Sequence, residues 1–181
     1  LVGKAAPPVQ KQKERDQNMN HPVIYMDHAA TTRIGKPALD AMLPVLENDY
    51  GNPSSLHALG QRAAHLLSSA RTEVAGCLGA FSDEIYFTSG GTESDNWALR
   101  EIARMGAESG KKHMISTAFE HHAILHTLRR LKEEGFEVTL LDVHEDGLVR
   151  PEELEAAIRL DTCLVSVMYA NNEIGTIQPI G

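Results

Sequence analysis

The sequence predicts an α/β domain, a mostly parallel sheet covered by helices. Strand-like and helix-like stretches alternate from Val23 onward, the βαβα order that a parallel sheet requires. Thr162–Ala170 is nearly continuous in apolar residues, as a strand buried on both faces is. Polar clusters fall directly after strands, at Thr88–Asn96, Glu120–His122 and Asn171–Glu173, and α/β sheets bind their ligands at strand carboxyl ends.

Residues 1–20 carry a Pro-Pro pair and mixed charges without apolar periodicity, which predicts a disordered tail ahead of a domain spanning 21–181. Met19 is the expected natural start, with a functional extension as the alternative. Val23–Met26 reads as a short strand before the turn-like Asp27-His28-Ala29-Ala30-Thr31-Thr32. Lys36–Asn48 reads as a helix kinked at Pro44. Asn52-Pro53-Ser54-Ser55 is turn chemistry and opens a helix that runs to Leu78 and stops at Gly79. Then come strand Glu84–Thr88, helix Ser94–Arg104, strand His113–Thr117, helix Glu120–Glu134 and the β-branched strand Phe136–Val143. Helix Pro151–Arg159 begins on a proline, where a missing N–H costs little, and strand Thr162–Ala170 follows.

Composition narrows the function classes. Apolar residues at 42% and charged residues at 23% lie in the globular range, so disorder of the whole chain is excluded. A formal charge of −8 argues against a polyanion partner, because nucleic-acid binders display a basic face. No apolar run reaches the roughly 18 residues of a membrane span, and the N-terminus lacks the apolar core of a secretory signal. Two cysteines are too few for a disulfide scaffold or a Cys-rich zinc site, which points to a reducing, cytoplasmic setting. Cys77 lies on an apolar helical stripe and Cys163 opens an apolar run, so both read as packing residues.

Four clusters carry candidate chemistry. In Ile85–Ser94 a strand, a small-residue loop and a helix start follow one another. Two glycines let the backbone approach a ligand, and the helix start offers unpaired N–H groups with a partial positive charge, so the loop reads as a phosphate cup or as a capped glycine turn. Glu120-His121-His122 begins a helix with His126 one turn on. It reads as solvent-facing histidines, as an imidazole stacked on a flat cofactor ring, or as a metal pair without a third ligand. Asn171-Asn172-Glu173 places amides at a strand end, able to donate to an oxygen anion or to form an ordinary turn. Asp27 is a base or the side chain of an Asx-turn.

Taken together, YMDHAATT (25–32), GNPSSLH (51–57), FTSGGTESDN (87–96), EHHAI (120–124) and ANNEIGTIQPI (170–180) resemble the pyridoxal-phosphate-dependent cysteine desulfurases, in the NifS/IscS-like branch of the class V aminotransferase superfamily. They keep that family's order and approximate spacing. The resemblance implies the front part of a fold-type-I large domain. It implies that Gly91 and Thr92 bind the cofactor phosphate, that His121 stacks on the pyridine ring and acts catalytically in proton movement, and that Asn172 lies near the phenolic oxygen and the substrate carboxylate. His122 stands where the family often has Lys, and Trp97 where Leu is more usual. The implied reaction takes sulfur from L-cysteine and leaves L-alanine and an enzyme persulfide. The implied partners are a sulfur acceptor or iron–sulfur scaffold protein and, for the whole protein, a second copy in a homodimer. No metal, nucleic acid or membrane is implied. The family's cofactor-holding lysine, pyridine-facing acid and nucleophilic cysteine match positions beyond residue 181, so residues 1–181 by themselves are expected to be inactive. A selenocysteine lyase or another class V aminotransferase is the alternative within the superfamily, and a non-catalytic partner protein is the alternative outside enzymes.

Overall fold

The structure is a computed structural model that describes residues 24–180; the tail expected at 1–20 and the start of the first expected strand lie outside the described residues. The described residues fall into two units, one ending at Arg33 and one beginning at Ile34. The first is built on a turn. Ala30 and Thr31 donate N–H bonds to the Asp27 carbonyl at 3.2 and 3.3 Å, and the Tyr25 hydroxyl lies 2.8 Å from that carbonyl and 3.0 Å from that of Thr31. The main chain of Asp27 thus closes the turn. Ile24–Met26 forms no ladder among the described residues, because a strand exists only with a neighbour to pair.

The second unit contains α1 (Lys36–Asn48), α2 (Ala58–Leu78), a 3-10 turn (Ser82–Glu84), α3 (Gly91–Glu108), β1 (His113–Thr117), α4 (His122–Glu133), β2 (Glu137–Leu141), α5 (Pro151–Ala157) and β3 (Thr162–Val165). The three strands are parallel in the order β2-β1-β3, as expected for an α/β sheet. Alternation along β1 sends Met114 and Ile115, both fully buried, to opposite faces. On one face Met114 packs with Leu99 and Ala103 of α3 and with Ile124, Leu128 and Leu131 of α4. On the other, Ile115 packs with Leu141 and Val149, and Leu154 and Ala157 of α5 cover them. Helices therefore cover both faces.

Local chemistry sets the helix limits. The ring Nδ1 of His57 accepts the Gly60 N–H at 3.3 Å and caps α2, which ends at Gly79 in the left-handed conformation that glycine adopts without strain. The GNPSSLH loop lies against that first turn: a Cβ on Gly60 would sit 2.7 Å from the Asn52 carbonyl oxygen. Among the described residues, no helix is long and apolar enough to cross a membrane.

Two expected strands differ. Glu84–Thr88 is a 3-10 turn followed by extended, unladdered chain, because its backbone finds no partner among the described residues. Side chains hold it instead. Arg71 donates to the Ile85 carbonyl at 3.1 Å, and its guanidinium stands 5.2 Å over the Phe87 ring. β3 ends at Val165, not Ala170; Ser166 donates one more bond to Ile115, and beyond it the chain turns into the Asn171 loop. α3 begins at Gly91, three residues earlier than expected, and α4 begins at His122 because His121 is its cap.

Candidate functional site

Parallel pairing brings the carboxyl ends of β1 and β3 to one edge of the sheet, and the loops that follow meet there. Asn171 ties them. It is 7% exposed; its Nδ2 donates to the Phe119 carbonyl at 3.0 Å, and its Oδ1 accepts the N–H groups of Glu173 and Ile174 at 2.8 and 3.0 Å. Gly175, at φ 75°, lets the chain double back so that Asn171 N–H reaches the Thr176 carbonyl at 3.0 Å. Between the two loops lies a cavity of about 230 Å³, its wall including Glu120, His121, Leu125, Met168, Asn172 and Ile174.

His121 is held by the start of α4. Its Nδ1 accepts the Ala123 N–H at 3.1 Å, so the neutral ring carries its proton on Nε2. His122 and His126, one turn apart, stack with ring centroids 5.3 Å apart on the exposed side of the helix. The sequence located these histidines at a strand end but did not reveal that the first one caps the helix.

The small-residue loop is pinned from both sides. Glu93 accepts from the Ser89 N–H at 2.6 Å and the Ser89 hydroxyl at 2.7 Å, and these bonds lower its carboxyl pKa below the ordinary value. The Thr88 and Ser94 hydroxyls meet at 2.7 Å. The first helical bonds are made by Glu93 and Ser94 to the Gly90 carbonyl, which leaves the Gly91 and Thr92 N–H groups ahead of the helical ladder. Space in front of Gly90 and Gly91 is open, since a Cβ on either meets nothing within 4 Å.

Of the four residues that the sequence singled out, His121 and Asn172 share one cavity wall. Gly91 and Thr92 stand outside that wall, at the first turn of α3. Two features link α3 to the cavity. Asn96 donates to the Thr92 carbonyl at 2.8 Å while its Oδ1 accepts the Thr127 hydroxyl of α4 at 2.6 Å. Asp95 lies within electrostatic reach of Glu120, whose carboxyl pKa is raised chiefly by burial and further by that neighbouring charge; bonds from the Met168 and His121 N–H groups act in the opposite direction. The sequence placed Glu120 and Asn171 in its candidate clusters but did not reveal that both are buried, because no local pattern encodes burial.

The chain is 54% identical over 157 residues to a cysteine desulfurase IscS of Methanosarcina thermophila, and 50% identical over 157 residues to one of Clostridium botulinum, covering 87% of this chain and 39% of the relative in each case. The chain thus spans about two fifths of the length of these curated relatives. A solved NifS-like protein superimposes with a TM-score of 0.82 at 44% identity, over 86% of this chain and 43% of that one. A structure described as SspA in complex with cysteine superimposes with a TM-score of 0.80 at 38% identity, over 86% of this chain and 45% of that one. Residues 24–181 match the model of the aminotransferase class-V family, and the chain belongs to that family.

Proposed function

We propose that this chain is the front part of a cysteine desulfurase that takes sulfur from L-cysteine, leaving L-alanine and an enzyme persulfide, with pyridoxal 5'-phosphate as cofactor. The observation that carries the reading is the meeting of His121 and Asn172 in one cavity at the carboxyl edge of a parallel sheet. Residues 21–181 supply part of the cofactor-binding large domain.

The residues present fit such a cofactor. Among the described residues, Ser116 Oγ and Thr117 Oγ1 at the carboxyl end of β1 and Glu120 Oε1 in the cavity wall are buried polar atoms without a hydrogen-bond partner. The backbone ahead of α3 is open at two glycines, where its N–H groups face solvent rather than the helical ladder. Gly91 and Thr92 hold a phosphate with those groups and the Thr92 hydroxyl. His121 presents its ring to a flat group and holds a proton at Nε2. Asn172 donates its amide to an oxygen anion, and Glu93 keeps the Ser89–Gly91 backbone in place. The cofactor, when bound, supplies an electron sink for bond breaking at the substrate α-carbon.

The whole protein acts in the cytoplasm as a homodimer and passes sulfur to an acceptor or iron–sulfur scaffold protein. The test is the intact protein incubated with L-cysteine and a reducing thiol. Stoichiometric L-alanine and sulfide support the reading, and absence of alanine from cofactor-saturated protein overturns it.

A further inference from the structure

The wall of the His121–Asn172 cavity contains a carboxyl group that none of the preceding roles uses. Glu120 is 92% buried, and its Oε1 finds no donor among the described residues. An ionised carboxylate presents about four lone-pair sites for donors. A buried one left short of donors is among the costliest groups a fold can hold. The neighbours offer little charge compensation. α3 contributes Asp95, of the same sign; the start of α4 contributes His121 and His122; the loop beyond β3 contributes Glu173. Among the described residues, no lysine or arginine lines the cavity. His121 cannot lend its Nδ1 as a donor, because that atom accepts from Ala123.

We propose that Glu120 serves this cavity as a neutral carboxylic acid, a positioning residue whose lack of charge lets the cavity accept an anionic ligand. The inference rests on the function proposed above, since the cofactor and the substrate carboxylate are both anionic. A negative charge in this wall, next to Asp95, repels either. The carboxyl group also joins the two loops, because it accepts from the Met168 and His121 N–H groups, so its protonation state bears on the cavity's shape as well as its potential. Burial and the Asp95 charge raise its pKa, which is the direction neutrality requires.

The test compares intact wild-type protein with Glu120→Gln, which keeps the shape and cannot ionise. The cofactor-free proteins are titrated with pyridoxal 5'-phosphate from about pH 5 to about pH 9, and the ratio of the two Kd values is followed. Titration of the ligand and of protein groups not coupled to Glu120 is common to both and cancels in the ratio. The wild type is expected to lose about tenfold in affinity relative to the variant across that range, as Glu120 ionises. Melting is the second readout. A group with a raised folded pKa contributes stability that is lost as pH rises through that value, so the Tm of Glu120→Gln should gain on the wild type with rising pH. Should the amide misplace its donors, Glu120→Met supplies a second neutral side chain of similar volume. The proposal is overturned by a wild type that is already the weaker binder at about pH 5 with a Kd ratio that stays constant to about pH 9, or by a Tm difference that changes with pH while the Kd ratio does not. If the cofactor fails to bind either protein at any pH, the function reading fails, and inorganic phosphate then serves as the anionic probe for the same ratio.

Discussion

The imidazole of His121 closes α4 through Nδ1 and stands in the cavity wall with the rest of its ring. Two substitutions separate those duties. Asparagine is a strong N-cap, so His121→Asn should melt within a few tenths of a kcal/mol of wild type, whereas His121→Ala should lose about 1 kcal/mol. Both remove the ring, so the absorbance spectrum of cofactor-loaded protein should change alike in the two variants. Equal melting losses would show that the cap contributes nothing. Thr92→Val keeps the shape and removes a hydroxyl, and is expected to weaken pyridoxal phosphate binding about tenfold while leaving the melt unchanged. At this scale the sequence was legible where position after a strand was the clue, as for His121 and Asn172. For the adjacent Asn171 it left open an amide donor or an ordinary turn, and the side chain closes a turn. Both asparagines line the cavity, and the return of the chain at Gly175 lets the first also reach inward to the Phe119 carbonyl.

β1 illustrates what an element adds. His113 is 1% exposed, and its two ring nitrogens meet the hydroxyls of Thr162 on β3 at 2.7 Å and Thr139 on β2 at 2.9 Å, so one side chain clamps all three strands. Burial is the main cause that lowers its pKa from the ordinary 6.5, and Arg159 adds to it; Asp161 and Glu137 oppose them. The sign follows. The folded state binds the proton less readily than the unfolded chain, so this stability is present above 6.5 and drains as pH falls below it toward the lowered value. Urea unfolding of wild type and His113→Gln between about pH 5 and about pH 8 should show the wild type losing more on acidification. Thr139→Val should cost about 1–3 kcal/mol, by leaving a buried ring nitrogen unpaired. Elements that carry their own pattern and their own neighbour were legible. Glu84–Thr88 was not, because pairing is a property of two segments and only one of them is written there. The onset of α3 was misplaced for a local reason: Glu93 reaches back to Ser89 and starts the helix on glycine.

Over the whole molecule, the three-stranded order β2-β1-β3 leaves both outer strands with an unpaired edge among the described residues. Apolar side chains remain uncovered far from the core: Leu160 is fully exposed, and Leu56 and Phe81 are 91% and 77% exposed. α1 buries none of its residues. A polypeptide limited to residues 24–181 should therefore bind a hydrophobic dye and melt broadly, whereas the intact protein should do neither. A sharp, concentration-independent melt of that shorter polypeptide would contradict this. The α/β class was legible because alternation of elements extends over the whole chain. The number of paired strands was not, since it depends on which segments find a neighbour.

The ladder between β1 and β3 slips by one residue after His113, pairing it with Thr162 and then Met114 with Leu164. Cys163 is the residue left over, and so two consecutive side chains, Cys163 and Leu164, point to the same layer against α3 and α4. A gene lacking codon 163 would keep the pairs Thr162 with His113 and Leu164 with Met114 and turn the slipped ladder into a regular one. A Cβ on Gly106 would lie 2.9 Å from the Cβ of Cys163, so the deletion would also open a gap beside α3.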